Sequence, residues 1–545
     1  MMTLTSCLNC PSPLCKGLQV LGCLSYRYKL EIQNPKKMRT TPLITLLFLL
    51  FTPNLLTGQE LNICEFGAVS EKNVLSTSAI QAAIDSCTDQ GGGIVRFPPG
   101  EYQSGTIYLK DNVILFLDPG AILYASTDTS LFPLNKHEFM SMRNNIPALI
   151  HAEGRQNIGI KGGGTIHGQG HLEPYHISWK NQGAPIKRPK VIHFVSCSEI
   201  SIDGVTLRNS PHWMMSLLDC ENIRISNVFI SNRRSSVNND GIDLDCCRNA
   251  VISNCIINSE DDAIVLKSTS NRVTENVAVT NCVLSSHCNA FKLGTETNAG
   301  FRNISFSNSV IFDTYLSGIA LEIVDGGEID GVGISNITMR NVNNPLFLKL
   351  GNRAKNYRKD IPKPGIGSIK NIMISNVQAT GVGGFIEEPL LEFSHTNGDP
   401  RSAACIISGL PENYIENVTL RDFRVSFAGI DGADFSDPVP ENPKVYPEFN
   451  SYGPLPAYAL YSRHVQGLTL ANFEVDVINE DLRVPCVFDD VKDLFVDHLS
   501  AVRKGEEKAL LSIREVNGAD INIRGGHKSM EHIERREGCE EIIIR

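Results

Sequence analysis

An asparagine recurs along the middle of the chain at a nearly constant interval. Successive copies stand 27 residues apart, and the last interval is 28, in the series Asn227, Asn254, Asn281, Asn308 and Asn336. Around each asparagine, β-branched residues alternate with polar residues, which is the pattern of a strand with one buried face. A fixed period of this length is typical of repeat proteins, whose units bury their apolar faces against one another. We therefore predict a solenoid of short strands.

Two other repeat architectures have comparable periods. Leucine-rich repeats need a leucine framework and β-propellers need hairpin turns and Trp-Asp dipeptides, and the sequence has neither. A parallel β-helix fits better, because its coils place residues one period apart directly above one another, about 4.8 Å away. We predict an all-β fold of this kind.

Four copies of one short sequence motif, which begin at Asp240, Asp262, Asn289 and Ser317, can be aligned. Each copy supplies one residue to every column of the stacked coils. The alignment gives three columns: Asp240, Asp262, Asn289 and Ser317; Asp243, Val265, Lys292 and Ala320; and Asp245, Lys267, Gly294 and Glu322. Charged residues therefore concentrate on one strip of the coils. We take this strip as the candidate site.

The bulk composition limits the partners and the domain count. The formal net charge is -10 at pH 7, so there is no basic excess and we expect no nucleic-acid partner. A solenoid lengthens without enlarging a spherical core, so 545 residues do not require a second domain. We expect a monomer.

The N-terminal region differs from the rest. Met38 is followed by a charged residue and then by an apolar run that is too short to span a bilayer and ends near Gly58. We interpret residues 38–58 as a signal peptide and residues 1–37 as an over-extended leader. The mature protein would then be exported to the periplasm, cell surface or medium, with no membrane span. The alternative is a cytoplasmic leader before a membrane anchor.

A short helix is predicted from Thr77 to Cys87, with a Thr or Ser cap and one apolar face. A solenoid needs its open end covered, because unpaired strand edges invite association, and this helix would cover it. The predicted regions are the N-terminal cap with the first coils at 59–130, the catalytic parallel β-helix at 131–500, and the C-terminal coils or cap at 501–545.

Two insertions interrupt the later repeats, at 378–416 and 427–460. They contain Tyr, Phe, Pro, Asp and Glu, a composition suited to the wall of a sugar-binding groove. Plain solvated loops are the alternative.

Cysteines also follow the period. Cys255 and Cys282 stand 27 residues apart, as do Cys220 and Cys247. We predict stacked buried thiols, since free cysteine packs as a small apolar residue. Disulfides in an exported protein stay possible.

Three carboxylates, Asp240, Asp261 and Asp262, fall within adjacent copies. Carboxylates this close repel one another, so at least one should keep its proton near neutrality. Glycoside hydrolysis with inversion needs a carboxylic acid to protonate the leaving oxygen and a carboxylate about 6.5–9.5 Å away to activate water. The alternative is that these residues only occupy turns of the β-helix.

The segments Asn238-Asn-Asp-Gly-Ile-Asp243 and Glu260-Asp-Asp262 resemble the Asn-Thr-Asp and Asp-Asp motifs of glycoside hydrolase family 28, the polygalacturonase family. Segments beginning at Glu65, Asn209 and Gly294 are similar to bacterial exo-acting members. The resemblance covers roughly residues 60–500.

This resemblance implies a fold and a mechanism. The fold is a right-handed parallel β-helix, a pectin-lyase-like solenoid, and the reaction is metal-free hydrolysis with inversion. Asp261 matches the general acid, and Asp240 and Asp262 match the pair that activates water.

The sequence departs from the family at two motifs. The family's Gly-His-Gly falls on Ser286-His-Cys-Asn289, so His287, Cys288 or Asn289 could fill the histidine position. The family's Arg-Ile-Lys, which grips a galacturonate carboxylate, falls on Ala320-Leu-Glu322 and has lost its positive charges.

Two interpretations of the second departure stay open. Lys292, Lys349 or Arg353 could replace the lost clamp, or the subsite could receive a neutral sugar such as rhamnose whose hydroxyl group binds Glu322. Lys267 and Lys292 could equally serve as structural partners of Asp245 and Glu322. The candidate substrate-binding residues are His287, Asn289, Lys292, Glu322, Lys267 and Arg353.

We therefore expect an exported inverting glycoside hydrolase that acts, in exo mode, on pectic polysaccharide, either galacturonan or rhamnogalacturonan. No metal or other cofactor is expected. The alternatives are a pectate-lyase-like enzyme, because an acid cluster can hold Ca²⁺, and an inactive β-helix that binds polysaccharide.

Overall fold

The structure is a computed structural model. It describes residues 59–134, 147–177, 188–232, 236–358, 362–384, 400–430, 434–503, 509–524 and 530–545. The predicted leader and signal peptide lie outside the described residues, and so do 385–399 and 431–433 of the two predicted insertions. Within the described residues, no helix has both the length and the apolar character needed to cross a membrane.

The described chain is built almost entirely of short strands that pair in parallel. The strands before the candidate site are β1 Gln59–Asn62, β2 Gly93–Phe97, β3 Gly100–Ser104, β4 Ile107–Tyr108, β5 Val113–Leu117, β6 Ala121–Ala125, β7 Ala148–Glu153, β8 Gln156–Gly162, β9 Thr165–His167, β10 Lys190–Val195, β11 Ser198–Asp203, β12 Thr206–Arg208, β13 Met215–Leu218, β14 Glu221–Ser226 and β15 Phe229–Ser231. The strands around the site are β16 Ile242–Asp245, β17 Arg248–Ser253, β18 Ile256–Ser259, β19 Ile264–Ser268, β20 Thr274–Thr280, β21 Val283–Ser286, β22 Phe291–Thr297, β23 Gly300–Ile323 and β24 Glu328–Leu350. The strands after it are β25 Ser368–Val382, β26 Cys405–Ser408, β27 Ile415–Phe427, β28 Ala457–Val477, β29 Val484–Ala501, β30 Leu511–Arg514, β31 Asn517–Ile523, β32 Ile533–Arg535 and β33 Glu540–Ile544.

Three strands make one coil, and each strand pairs with its equivalent in the next coil. β16 pairs with β19, β17 with β20 and β18 with β21, all in parallel. The inward side chains of one sheet, Ile242, Ile264, Phe291 and Ile319, stack in register and are buried. The chain is thus the parallel β-helix that the period predicted, and its core is a set of apolar columns.

The recurring asparagines occupy one corner of the coil. Asn227, Asn254, Asn281, Asn308 and Asn336 all have φ between 51° and 58°, in the left-handed region. Asparagine tolerates this conformation better than most residues. Their amides also bond from coil to coil, for example Asn336 Nδ2 to Asn308 Oδ1 at 2.8 Å. The period therefore records a corner that needs both a left-handed residue and a stacking amide.

The predicted N-terminal helix is present as α1, Thr77–Asp89. It buries Ile80, Ala83 and Ile84 at the start of the coils. The N-cap residue is a serine, Ser76, as predicted, but its hydroxyl bonds the backbone of Val69 and makes no hydrogen bond to the first turn of the helix. Short 3-10 helices span Ile63–Phe66, Thr129–Leu131, Pro400–Ser402, Phe449–Tyr452 and Met530–His532.

The cysteines of the described chain are free thiols, most of them buried. Cys220 and Cys247 each donate to backbone carbonyl groups, and the Cys197 amide donates to Cys220 Sγ at 3.4 Å. Cys255 and Cys282 are buried as well. The prediction of stacked buried thiols is confirmed.

The second predicted insertion packs onto the strip that carries the candidate site. Within it, residues 434–456 bury Val439, Phe449, Tyr452 and Leu455 in one apolar cluster with Phe347 of β24. Because these side chains are buried, the segment is a packed wall over the coils rather than a solvated loop. We call 434–456 the covering loop.

Candidate active site

The predicted columns can be compared with the observed strand register. Asp243, Val265, Lys292 and Ala320 follow one another in register, as predicted. The same register continues to the first column, where the amide of Gly241 binds the carbonyl of Asp262 and the amide of Ala263 binds that of Asn289. These two predicted columns are therefore confirmed.

The third predicted column is only partly correct. Asp245 pairs with Lys267, but the register shifts after Leu266, and Ser268 pairs with Thr297. Gly294 lies at the start of this irregularity with φ +118°, and a side chain there would meet Glu322 at 3.0 Å. The extra residues bulge out of β22, so Lys267 does not pair with Gly294.

Asp240 is buried, with 3% of its surface exposed. Its Oδ2 lies 3.7 Å from Lys267 Nζ. Burial raises the pKa of Asp240 well above its usual value; the Asp261 and Asp243 carboxylates add to the rise, and Lys267 opposes it. Asp240 therefore tends to hold a proton when the cleft is empty.

Asp262 lies one coil above Asp240 and is held by three donors. Its Oδ1 accepts hydrogen bonds from the backbone amide and the side-chain amide of Asn289, at 3.0 and 2.9 Å. Its Oδ2 lies 3.4 Å from Lys292 Nζ. These contacts compensate the negative charge of Asp262 and fix the carboxylate in place.

Asp261 is the most accessible of the three carboxylates, being half-buried where Asp240 and Asp262 are buried. Its Oδ1 accepts a hydrogen bond from the Asp262 amide at 2.9 Å, and its Oδ2 accepts one from Asn238 at 3.4 Å. One oxygen of Asp261 lies within 4.8 Å of an oxygen of Asp262. The structure thus brings the three predicted carboxylates together and leaves Asp261 facing outward.

The three candidates for the family's histidine position differ in their surroundings. Asn289 lies in the carboxylate column and bonds Asp262. Cys288 Sγ lies within 4.8 Å of oxygens of Asp261 and Asp262. His287 is buried, with Nδ1 2.9 Å from Glu260 Oε1 and its ring in edge contact with Tyr315. The geometry favours Asn289 as the residue next to the carboxylates and a structural role for His287.

Lys292 is the centre of a second acidic group. Only 1% of its surface is exposed, and its Nζ lies 3.4 Å from Asp262, 3.5 Å from Glu448 and 3.8 Å from Glu322. Burial acts to lower the pKa of Lys292, but the Asp262 and Glu322 carboxylates outweigh it and the pKa is raised well above its usual value. We call these four side chains the Lys292 cluster.

Glu448 was not found by sequence reasoning. It lies on the covering loop, 156 residues beyond Lys292, and no motif marks it. Burial raises the pKa of Glu448 to about 7, and Lys292 opposes this rise. Burial likewise raises the pKa of Glu322, which has no exposed surface, well above its usual value.

Lys267 lies beneath the carboxylates rather than in the cleft. Its Nζ is 3.3 Å from Asp243 and 3.7 Å from Asp240, and it lies 4.7 Å from the centre of the Trp213 ring. Asp243 is fully buried, and burial raises its pKa to about 7. The structure therefore places Lys267 as an ionic partner of two buried carboxylates.

The other predicted cations are engaged outside the Lys292 cluster. The Arg353 guanidinium binds both carboxylate oxygens of Asp325, and it also donates to the Tyr357 hydroxyl at 2.8 Å. Lys349 donates to the backbone oxygen of Glu441 at 3.0 Å. Sequence reasoning could not assign these pairs, because they depend on the path of connecting segments.

A cation that sequence reasoning missed, Arg188, lies beside the carboxylates. Arg188 donates to Asn238 Oδ1 at 3.0 Å and to the Pro211 carbonyl at 2.9 Å. Burial lowers the pKa of Arg188 to about 10, and the Asp261 and Asp240 carboxylates oppose this. Arg188 thus stabilises the turn that precedes Asp240 by hydrogen bonds.

The residues near Asp261 do not suit a calcium site. Among the described residues, the group that could converge on an ion is Asp261, Asp262 and Cys288. Ca²⁺ takes six to eight oxygen ligands, whereas this group offers two carboxylates and a thiol. Asp262 is also already bonded to Asn289 and Lys292. We derive no step through a metal.

Known proteins resemble this chain in sequence and in fold. A family model described as glycosyl hydrolases family 28 matches residues 124–394. A probable polygalacturonase from Vitis vinifera is 31% identical over 198 residues, which are 34% of this chain and 39% of that protein. An endo-polygalacturonase from Pectobacterium parmentieri is 30% identical over 183 residues, 31% of this chain and 45% of that protein. The chain thus spans less than half the length of these two relatives.

Two solved structures share the fold. An exopolygalacturonase from Thermotoga maritima has a TM-score of 0.56 and 20% identity, and covers 77% of this chain and 91% of its own. A family 28 exopolygalacturonase from Yersinia enterocolitica has a TM-score of 0.58 and 18% identity, and covers 82% of this chain and 79% of its own. The predicted right-handed parallel β-helix is confirmed. The family match lies on the coils that carry the three carboxylates, and this part of the chain is similar to glycosyl hydrolases family 28.

Proposed function

We propose that the protein is an exported glycoside hydrolase that cleaves pectic polysaccharide from a chain end, with inversion. The observation that carries the proposal is the arrangement of Asp240, Asp261 and Asp262 on neighbouring coils, with two carboxylates buried and one half-exposed. The similarity to this family supplies the substrate class.

The surroundings of each carboxylate suit a different role. Asp261 is half-exposed and can reach a glycosidic oxygen in the cleft, so it is the general acid that protonates the leaving group. Asp262 has its charge balanced by Lys292 and Asn289, so it is the base that takes a proton from water. Asp240, whose pKa burial raises, orients the same water by a hydrogen bond.

The proposed step balances in protons and bonds. The water oxygen bonds to the anomeric carbon as the glycosidic bond breaks, one water proton passes to Asp262, and the Asp261 proton passes to the leaving oxygen. Asp240 and Asp262 lie one coil apart, about 4.8 Å, so two negative charges there would repel strongly. A shared proton on this pair removes that repulsion.

Inversion rests on the family resemblance. The nearest oxygens of Asp261 and Asp262 lie within 4.8 Å, which is shorter than the separation common in inverting enzymes. We therefore place the attacking water between Asp240 and Asp262, rather than directly between Asp261 and Asp262. Proton NMR of the first product tests inversion. A newly formed reducing end with the same anomeric configuration as the cleaved bond of the substrate would contradict inversion.

Exo action is supported by the covering loop. It packs Phe449 and Tyr452 over β24, next to the coils that carry the Lys292 cluster. A wall at this position would stop a long chain from running through the cleft. Early release of monosaccharide rather than long oligomers is expected, and export rests on the predicted signal peptide at 38–58.

The test is product analysis on galacturonan and rhamnogalacturonan oligosaccharides, with the variant Asp261→Asn and a chelator beside the native protein. We expect a saturated product that forms in chelator and is lost in the variant. An unsaturated product would show a lyase instead. Binding without any product would show the inactive polysaccharide-binding alternative.

A further inference from the structure

The Lys292 cluster occupies the place where the sequence lost the family's positive clamp. Glu322 of the cluster stands where that motif has a cation, and it lies one coil from Lys292. Three carboxylates, Asp262, Glu322 and Glu448, surround a single ammonium group within 3.4–3.8 Å. Even with Glu322 protonated, the carboxylates of Asp262 and ionised Glu448 outnumber the one ammonium group, so this part of the cleft is acidic when Glu448 is ionised.

The nearby cations do not correct this balance. Arg353 is bound to the buried carboxylate of Asp325, and Lys267 lies between Asp240 and Asp243. Lys349 donates to a backbone carbonyl on the covering loop. Arg353 also lies 5.4 Å from the centre of the Tyr446 ring, and its charge acts on Glu322. Each of the three cations is nevertheless bonded to another group, and none of the described ion pairs joins one of them to Glu322 or Glu448.

The cluster also offers unused acceptors and an aromatic surface. Both carboxylate oxygens of Glu322 and Oε2 of Glu448 are buried and accept no hydrogen bond from the described residues. Tyr446 on the covering loop is 50% exposed, and its ring centre lies 5.6 Å from Lys292 Nζ. Buried acceptors beside an exposed aromatic ring are typical of sites that bind uncharged polar ligands.

We propose that the Lys292 cluster is the subsite for the sugar next to the cleaved bond, and that it accepts an uncharged sugar and rejects a free uronate. This inference rests on the proposed hydrolase function. Glu448, at the accessible edge of the cluster, accepts a sugar hydroxyl, while a uronate carboxylate would meet Glu448 and Asp262 as like charges. The shared chemistry of the ligand is an uncharged ring with hydroxyl groups, either a neutral sugar or an esterified uronate.

Glu448 is the specificity-determining residue that can be tested alone. The groups that face it are Lys292, Asp262, Glu322, Cys288 and Tyr446. Since burial raises the pKa of Glu448 to about 7, its carboxylate carries full charge at pH 8 and little at pH 5. Rejection of a free uronate should therefore be stronger at pH 8.

The experiment compares three trisaccharides: a free galacturonide, its methyl ester and a rhamnogalacturonan fragment. The proteins are the native chain, Glu448→Gln and the matched control Asp434→Asn, which removes an exposed carboxylate from the same loop. At pH 8 the native protein should give a kcat/KM at least ~10-fold higher for a trisaccharide that places an uncharged sugar in this subsite than for the free galacturonide. Glu448→Gln should reduce this ratio several-fold, and Asp434→Asn should leave it unchanged.

Equilibrium binding of the same trisaccharides to Asp261→Asn separates the two proposals. If the native protein cleaves none of the three but Asp261→Asn binds the esterified or rhamnose-containing ligand more tightly than the free galacturonide, the hydrolase proposal fails and only the preference of the cluster for an uncharged sugar stands. Preference for the free galacturonide, a ratio unchanged in Glu448→Gln, or no binding at all would overturn the inference. Cleavage of the methyl ester would identify an esterified uronate as a substrate, and cleavage of only the rhamnogalacturonan fragment would identify a neutral sugar.

Discussion

Replacing Lys267 with methionine keeps much of the side-chain volume but removes the ammonium group that lies between Asp240 and Asp243. The distances are 3.7 and 3.3 Å, and Lys267 is 7% exposed. At 3.3 Å and an effective dielectric constant of about 20, one such pair interacts by ~5 kcal/mol. Breaking a buried ion pair by removing one partner typically costs about 3–5 kcal/mol. We expect Lys267→Met to lower the free energy of unfolding by that amount at pH 8.

The cost should depend on pH in a defined direction. Burial raises the pKa of Asp243 to about 7 from an ordinary value of 3.8, and without Lys267 that pKa would rise further. A carboxyl group with a raised folded-state pKa binds more protons in the folded protein than in the unfolded chain, so stability falls as pH rises toward the folded pKa. The contribution of Asp243 to the pH dependence levels off above about pH 7 in the native protein, whereas in the variant it continues to reduce stability at higher pH. For Asp240 and Asp243 together, the difference should grow by about 1–3 kcal/mol between pH 6 and pH 8.

Urea unfolding followed by tryptophan fluorescence measures this difference, because Trp213 contacts Lys267. The control is Lys363→Met, which removes an exposed ammonium group. The double variant Lys267→Met with Asp243→Asn should recover part of the loss, since it also removes the unpaired carboxylate. Equal stability of Lys267→Met and the control at pH 8, or a loss that does not change with pH, would refute the role of Lys267 as the partner of these buried carboxylates.

Substitutions at three further positions test the site, the corner of the coil and a buried ion pair. Asn289→Ala deletes the side-chain hydrogen bond to Asp262 and leaves the backbone one, and it should cost about 1.5–3 kcal/mol of stability in thermal or urea unfolding. Full stability would mean that the side-chain bond contributes nothing. Asn336→Ala should destabilise by about 1–2 kcal/mol because φ is +58° there, whereas Asn336→Gly should lose less; the reverse order would contradict the left-handed explanation. Arg353→Ala leaves Asp325 buried without its cation, and should lower the free energy of unfolding by about 3–5 kcal/mol, with Arg353→Lys intermediate.

The columns could be predicted from the sequence because strand register follows from a fixed period. Once residues 27 apart are known to stack, the neighbours of Asp240 and Asp243 in the next coil are determined. The prediction failed after Lys267, where Gly294 begins a bulge and the register shifts. A bulge changes the number of residues in one coil without changing the alternation of apolar and polar residues. The repeated motif therefore could not predict the bulge.

The contacts of the covering loop could not be predicted, for a different reason. Glu448 reaches Lys292 across 156 residues, and the loop that carries it has no periodicity. The apolar residues that hold the loop down, such as Phe449, pack against Phe347 of β24, but many arrangements of a 30-residue insertion would bury them. Sequence reasoning identified Lys292 and Glu322 as important and left open what they contact, because their partner lies on this loop.

Stacking the coils brings carboxylates of neighbouring coils close enough to repel one another, and lysines of the following coils compensate their charge. In-register coils bring equivalent residues to about 4.8 Å, so Asp240 and Asp262 are forced together whatever their pKa values. Each of them has a lysine from the following coil, Lys267 for Asp240 and Lys292 for Asp262. Lys267 also holds Asp243, while Lys292 also holds Glu448 from the covering loop. The second lysine therefore couples the proposed catalytic base to the residue proposed to select the sugar, so a change at Glu448 should alter both substrate preference and the charge balance at Asp262.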